Sequence, residues 1–174
     1  RYLHSFPTRR SSDLVIIMAF IDLMKEKARQ NRKTIVLPES EDQRTLTAAA
    51  QILKEGTADL ILVGNAETIK KDAAALNADI EGVKIVDPET DPKFDHYAET
   101  LFKLREKKGM TLEKATATLK SDLITYGVMM VKEGDADGLV AGACHATADT
   151  LRPALQILKT APGTELVSGF FIMD

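Results

Sequence analysis

Apolar runs that alternate with helical patterns constrain the fold of this chain more than any other feature of its sequence. The β-branched run at residues 34–39 is followed by a helical pattern, and so is the run at residues 58–64. A third run of this kind occupies residues 83–88. Strands that alternate with helices pair in parallel, and strands covered on both faces are apolar almost throughout. The sequence therefore predicts an α/β domain in which helices cover a parallel sheet.

Residues at the ends of these patterns predict where the elements begin and end. Helical apolar spacing covers residues 20–29, before the first strand. Ser40 and Gln43 form a capping box, and Gly56 ends the helix that follows. The later elements are predicted to be a helix at 67–76, a helix that ends at Gly109, helices capped by Thr111 and Ser121, a strand at 136–143, a helix at 150–159 and a strand at 165–174.

The composition excludes several classes of protein. The chain has 174 residues, of which 26 are acidic and 23 are lysine or arginine, a net charge of −3 and one cysteine. A single cysteine cannot form a disulfide within the chain, and no Cys/His cluster has the spacing of a structural zinc site. Basic nucleic-acid-binding proteins have the opposite charge balance. The longest apolar run, residues 14–21, is shorter than the about 20 residues that span a membrane. We therefore expect a cytoplasmic protein without nucleic-acid or membrane partners.

The two ends of the chain differ from the part between them. Residues 1–17 contain three arginines and one aspartate and show no periodicity through residue 13. We interpret them as a non-native leader, with Met18 as the native start. Residues 18–164 are predicted to form a first α/β domain, and residues 165–174 the opening strand of a second. A chain that stops directly after an apolar strand is expected to be truncated before most of that second domain.

The segment 135–160 holds the strongest candidate for a functional site. Its predicted helix begins near Thr150, with Thr147 and Asp149 as alternative caps, and the free N–H groups at such an end attract anions. Arg152 lies in the predicted first turn, where a positive charge opposes the helix dipole. Open α/β sheets bind ligands at the carboxyl ends of their strands. These observations favour a functional role for Arg152 over that of an ordinary solvated arginine.

Other candidates have weaker support. Arg105 lies near a helix carboxyl terminus, where positive charge complements the dipole without any function. Cys144 and His145 are adjacent, but neighbouring side chains diverge, so a catalytic pair is disfavoured. Three acidic side chains follow the first strand and either line a cleft or belong to an acid-rich first helical turn. They are Glu39, Glu41 and Asp42.

Three segments make the chain similar to a known family. They are residues 34–65 (TIVLPESEDQRTLTAAAQILKEGTADLILVGN), residues 101–115 (LFKLREKKGMTLEKA) and residues 134–174, which open with GDADGLVAGACHATADTLRPALQILKTAPG. From about Met18 to Asp174, the chain resembles the amino-terminal half of bacterial phosphate acetyltransferases, in the phosphate acetyl/butyryltransferase family. This resemblance implies a three-layer, parallel-sheet domain like those of isocitrate and isopropylmalate dehydrogenases. It also implies a homodimer and an active site in the cleft between two domains.

The resemblance implies a reaction and the residues that serve it. The reaction is the reversible transfer of acetyl between coenzyme A and phosphate, with coenzyme A as a substrate and with no metal or prosthetic group. Arg105 and Arg152 match the two arginines of this half that face the cleft. Arg152 is accordingly the catalytic candidate, and Arg105, Arg152 and Thr147 are the substrate-binding candidates. Because the family's other catalytic motif, with Ser, Arg and Asp, lies in the second half, we expect the chain alone to be inactive.

Three alternatives to this function remain open. A phosphate butyryltransferase would differ in the acyl-chain length that it accepts. A non-catalytic ligand-sensing module, like the related domains fused to malic enzymes, would follow a malic-enzyme domain. A dehydrogenase-like activity would require a nicotinamide cofactor, and the chain lacks the glycine-rich dinucleotide motif after a strand.

Overall fold

A parallel sheet of four strands, in the order β3-β2-β1-β4, lies at the centre of the computed structural model. The structure describes residues 11–167, with side chains from residue 20 onward. β1 pairs with both β2 and β4, so that Ile35 lies opposite Leu60 on one side and Gly138 on the other. The predicted parallel α/β sheet is thus confirmed. The strands are β1 (Thr34–Leu37), β2 (Asp59–Val63), β3 (Lys84–Val86) and β4 (Gly138–Leu139).

Seven α-helices lie among the described residues, and each is too short or too polar to cross a membrane. A short 3-10 turn, Glu106–Lys108, follows the fourth helix. The helices are α1 (Ser11–Gln30), α2 (Gln43–Glu55), α3 (Ala66–Ala75), α4 (Phe94–Arg105), α5 (Leu112–Ser121), α6 (Leu123–Lys132) and α7 (Thr147–Ile157).

Apolar side chains cover both faces of the sheet. Successive residues of a strand point to opposite faces. On one face, Val36 and Ile61 pack in a cluster with residues of α4, α5 and α6. On the other face, Leu37 and Leu60 pack with residues of α2 and α3. The sheet is therefore the middle of three layers, as the sequence predicts.

Gly127 allows α6 to lie close against the sheet. A Cβ atom at this position would come within 2.7 Å of Leu139 Cδ1 and 3.0 Å of Val36 Cγ1. Real Cβ atoms do not approach carbon atoms this closely, because protein interiors are already close-packed. The absence of a side chain at Gly127 thus lets one helix contact both β1 and β4.

The cap of α2 differs from the prediction. Asp42, not Ser40, is the N-cap, and its carboxylate accepts a hydrogen bond from the Arg44 N–H at 2.8 Å. Ser40 is buried instead, and its hydroxyl donates to the Val63 carbonyl at 2.6 Å. A carboxylate also complements the positive end of the helix dipole, which a serine hydroxyl does not. Gly56 ends α2 in a left-handed conformation, as predicted.

The N-cap of α6 is also an aspartate instead of the predicted serine. Asp122 accepts hydrogen bonds from the N–H groups of Ile124 and Thr125, both at 3.0 Å. The Ser121 hydroxyl, which was the predicted cap, donates back to the Ala117 carbonyl within α5. One carboxylate satisfies two free donors at this helix end, so aspartate is again the better cap. Thr111 caps α5 as the sequence predicts.

The region after β4 differs most from its prediction. The sequence predicts a strand over residues 136–143, but β4 covers only Gly138–Leu139. Gly142 has a φ of 109°, and there the backbone turns away from the sheet. α7 begins at Thr147 rather than near Thr150, and its N-cap, Ala146, makes no side-chain cap. Arg152 therefore lies in the second turn of α7 and not in the first.

The structure also tests part of the predictions for the two ends of the chain. α1 begins at Ser11, earlier than the predicted start at residue 20. Neither glycine nor proline occurs between residues 11 and 30, so nothing in the sequence interrupts the helix. Residues 165–167, at the start of the last predicted strand, are irregular, and its remaining residues lie outside the described part. The division into a leader, a first domain and an opening strand stays a prediction.

Candidate active site

A buried carboxylate holds the loop that leads into α7. Glu39, two residues after β1, is 2% exposed. Its Oε2 accepts hydrogen bonds from the N–H groups of Gly142 at 2.6 Å and Ala143 at 2.7 Å. Its Oε1 accepts those of Cys144 and His145, each at 3.0 Å. Residues 142–145, here called the Glu39 loop, are therefore fixed at the carboxyl end of β1 by one side chain.

The same contacts set the charges of the Glu39 loop. Burial alone would raise the pKa of Glu39, but the loop N–H groups and the His145 ring outweigh it and lower the pKa to about 2. The His145 Nδ1 lies 2.8 Å from Glu39 Oε1, and this hydrogen bond raises the pKa of His145. Burial and the carboxylates of Glu39 and Glu41 raise the pKa of the Cys144 thiol to about 11. The thiol is thus protonated at neutral pH, as expected for a cysteine that is not a nucleophile.

A cleft of about 580 Å³ lies beside the Glu39 loop, between that loop, α7 and the junction of α5 with α6. Arg152 lines it with its side chain 63% exposed. Its Nη1 lies 3.8 Å from Asp149 Oδ1, and an exposed pair at this distance contributes little to stability. The Arg152 guanidinium is therefore accessible to a ligand in the cleft. Glu41 and His145 line the same cleft.

Arg44 is a residue that the sequence prediction missed. Its guanidinium contacts the Asp42 carboxylate at 2.7 Å and also donates to the Ala143 carbonyl. Arg44 thereby links the start of α2 to the Glu39 loop. Of the two alternatives for the acidic cluster, the structure supports the cleft, which Glu41 lines. The acid-rich first turn was wrong, because α2 has no acidic residue in its first turn and Asp42 is its N-cap. The signal for the buried role of Glu39 was a charged residue directly after an apolar strand.

The structure does not bring the other two predicted site residues into this cleft. Arg105 is the last residue of α4 and is half-buried. Its Nε is buried and has no hydrogen-bond partner within the described part of the chain. Thr147 is exposed at the start of α7. Neither side chain lines the cleft with Arg152, although Leu101 and Met110, on either side of Arg105 in the sequence, do. Their roles stay predictions.

Comparison of the sequence with models of known protein families identifies the family of this chain. The model of the phosphate acetyl/butaryl transferase family matches residues 19–174. The chain belongs to this family. The predicted relationship is thereby confirmed, and it covers the sheet, the Glu39 loop and α7.

Two phosphate acetyltransferases are more than half identical to this chain in sequence. The phosphate acetyltransferase of Thermoanaerobacterium thermosaccharolyticum is 57% identical over 157 residues, which are 90% of this chain and 47% of that protein. The phosphate acetyltransferase of Acetivibrio thermocellus is 55% identical over 156 residues, 90% of this chain and 46% of that protein. The chain therefore spans about half the length of the curated relatives that it matches.

Solved structures of family members share the fold. A phosphotransacetylase from Streptococcus pyogenes superposes with a TM-score of 0.81 and 39% identity, and the match covers 86% of this chain and 45% of that one. The EutD phosphotransacetylase from Staphylococcus aureus gives a TM-score of 0.78 and 37% identity, with 86% and 45% covered. These matches confirm the predicted fold class.

Proposed function

We propose that the protein to which this chain belongs catalyses the reversible transfer of acetyl between coenzyme A and inorganic phosphate, with Arg152 as a catalytic residue. The observation that carries the proposal is the accessible guanidinium of Arg152 in a cleft beyond the carboxyl ends of β1 and β4. Ligands of open α/β sheets bind in this position. The names of the relatives that are 57% and 55% identical support the choice of reaction.

The chemistry of the reaction suits an arginine. A phosphate oxygen forms a bond to the acetyl carbon, the C–S bond breaks, and coenzyme A leaves as a thiolate. The tetrahedral intermediate carries an oxyanion, and one reactant is already a phosphate. A guanidinium binds phosphate through two parallel hydrogen bonds and stabilises the developing charge. Loss of one such donor raises the barrier by about 3 kcal/mol.

The proposal includes the remaining expectations from the family resemblance. Arg105 and Thr147 are proposed to contact substrate together with Arg152. Coenzyme A is a substrate, and the reaction needs no metal or prosthetic group. The second half of the family's sequence is proposed to supply a serine, an arginine and an aspartate, so the 174-residue chain alone is expected to be inactive. We place the complete protein in the cytoplasm as a homodimer.

The test uses Arg152→Ala in the complete protein, with formation of acetyl-CoA thioester as the measurement. The expected result is a fall in kcat of about 100-fold, because the loss of about 3 kcal/mol of transition-state stabilisation has that effect. Arg29→Ala is the matched control, since Arg29 is an exposed helical arginine away from the cleft and should leave kcat unchanged.

Three outcomes would count against the proposal. Near-normal turnover of Arg152→Ala would remove its catalytic role. Faster turnover of butyryl-CoA than of acetyl-CoA would favour a phosphate butyryltransferase. Binding of coenzyme A without any acyl transfer by the complete protein would favour a ligand-sensing module.

A further inference from the structure

One cluster of side chains that the proposed reaction does not use has the donor types of a metal site. Cys144 Sγ lies 3.5 Å from Glu39 Oε1, 3.6 Å from Glu41 Oε1 and 3.5 Å from His145 Nδ1. His145 Nδ1 lies 2.8 Å from Glu39 Oε1. The Glu39 carboxylate, the Cys144 sulfur and the His145 ring nitrogen thus all lie within 4.8 Å of one another.

The separations fit a tetrahedral ion. Bonds of about 2.0 Å to nitrogen and oxygen and about 2.3 Å to sulfur place neighbouring ligands of tetrahedral Zn²⁺ about 3.3–3.6 Å apart. The distances from Cys144 Sγ to Glu39 Oε1 and to His145 Nδ1, both 3.5 Å, lie in this range. The shorter distance between His145 and Glu39 is a hydrogen bond, and it lengthens when an ion takes the place of the proton.

The surroundings of the cluster meet two further requirements of a metal site. Hydrogen bonds behind a ligand fix its orientation, and Glu39 Oε2 has them from the Gly142 and Ala143 N–H groups. An ion also needs a path of entry. Cys144 is exposed, and the side chain of His145 is 42% exposed, so the cluster is open to solvent.

We propose that Glu39, Cys144 and His145 form a binding site for Zn²⁺ or a similar thiophilic divalent cation, with the fourth tetrahedral position open to solvent. The mixed sulfur, nitrogen and oxygen donors suit such an ion better than Mg²⁺ or Ca²⁺, which prefer oxygen alone. On binding, the Cys144 thiol loses its proton to solvent, and the His145 ring carries its proton on Nε2. The sulfur and Nδ1 each donate an electron pair to the ion.

The site is separate from the proposed acetyl transfer, and it is not needed for that reaction. It does adjoin the cleft, because Glu41 and His145 line the cleft together with Arg152. An occupied site would therefore add positive charge at the cleft.

The test titrates the purified, metal-free complete protein with Co²⁺ and then displaces the Co²⁺ with Zn²⁺. The expected result is one ion per chain, with a thiolate-to-cobalt absorption band in the near ultraviolet and the visible bands of a tetrahedral site. Cys144→Ser should abolish the ultraviolet band and weaken Zn²⁺ binding by more than about tenfold.

Two further variants test whether Zn²⁺ binds to several ligands of the cluster or to the cysteine thiol alone. His145→Gln keeps the cysteine, and it should still weaken Zn²⁺ binding by more than about tenfold. His96→Gln is the matched control, because His96 pairs with Glu133 at 2.7 Å outside the cluster. This control should bind Zn²⁺ as tightly as the unaltered chain, and circular dichroism should show that all the variants are folded.

The proposal is overturned by any of three results. The first is the absence of the thiolate-to-cobalt band in the folded, unaltered chain. The second is equal Zn²⁺ affinity for His145→Gln and the unaltered chain, since the thiol alone would then account for binding. The third is loss of binding in the His96→Gln control.

Discussion

Two carboxylates at opposite ends of the β1 and β4 pair use different kinds of partner. Before β4, the largely buried Asp135 accepts a hydrogen bond from the Tyr97 hydroxyl at 2.5 Å and pairs with the Lys93 ammonium. After β1, Glu39 accepts hydrogen bonds chiefly from backbone N–H groups of the Glu39 loop. The first carboxylate joins side chains of separate elements, whereas the second holds one stretch of backbone.

The two carboxylates therefore have different roles: Asp135 stabilises the fold, whereas Glu39 supports the loop beside the cleft. The Asp135 contacts require particular side chains at positions 93 and 97. Four of the Glu39 contacts come from main-chain donors, which any residue type except proline can supply. The His145 ring and the Cys144 thiol add side-chain contacts to the same oxygen. The backbone contacts thus fix the loop, and two of its side chains still face Glu39.

The largest effect on stability is expected from removal of the Glu39 carboxylate. Glu39→Ala leaves four loop N–H groups without their acceptor, and the free energy of unfolding should fall by about 3 kcal/mol. Urea denaturation followed by circular dichroism measures this change. Hydrogen exchange should also become faster at residues 142–145.

The matched control for Glu39→Ala is Glu41→Ala. Glu41 is an exposed neighbour with the same side chain, so its loss should cost less than about 0.5 kcal/mol. If the two variants lose equal stability, the Glu39 loop does not depend on its buried carboxylate.

A smaller, pH-dependent effect is expected at the other end of the strand pair. Burial raises the pKa of Asp135, but hydrogen bonds from Lys93 and Tyr97 outweigh it, so the pKa lies below its usual value. The folded state therefore binds this proton less readily than the unfolded state does. The resulting stabilisation is complete above the ordinary aspartate pKa of about 4 and is lost as the pH falls through the lowered value.

Asp135→Asn tests this dependence. The variant should lose about 2 kcal/mol of unfolding free energy at pH 7, and the difference from the unaltered chain should shrink toward pH 3. Denaturation curves at both values measure it. Asp149→Asn, which alters an exposed aspartate, is the control. A difference for Asp135→Asn that stays constant between the two pH values would contradict the assigned contacts.

The smallest effect concerns the serine beside Glu39. Ser40→Ala removes a buried hydrogen bond to the Val63 carbonyl and should cost about 1 kcal/mol. Ser121→Ala, at the other wrongly predicted cap, should cost less than about 0.5 kcal/mol because Asp122 caps α6. Thermal unfolding of both variants measures their losses of stability, and Ser40→Ala should have the larger loss. The reverse order would restore the capping role of Ser121.

The sheet and its helices could be predicted from the sequence because their signals are local. Apolar runs such as residues 58–64 and a terminating glycine such as Gly56 act within a few residues of the elements that they define. Each of the four strands lies within its predicted run. β4, the shortest strand, covers only two residues of its predicted run. It is short because the next residues belong to the Glu39 loop, whose N–H groups bind Glu39 instead of a neighbouring strand.

The support of the site could not be predicted in the same way. Glu39 and Gly142 are separated by 103 residues, and no periodic pattern connects them. The start of α7 was wrong for a related reason. Residues 142–145 donate to Glu39, so the chain enters α7 from a loop already fixed in place, and Ala146 serves as its N-cap without a side-chain acceptor. The prediction that Arg152 lies beyond the carboxyl end of a strand agrees with its place in the cleft, but its predicted place in the first turn of α7 was wrong.

Gly127 has a consequence for the cleft that distance along the chain conceals. A methyl group there would press on the side chains of Leu139 and Val36 and force α6 away from β1 and β4. The first residues of α6, including Ile124 and Thr125, line the cleft, so one wall of the cleft would move with the helix. A glycine in the middle of a helix, which itself does not line the cleft, thereby sets the position of that wall.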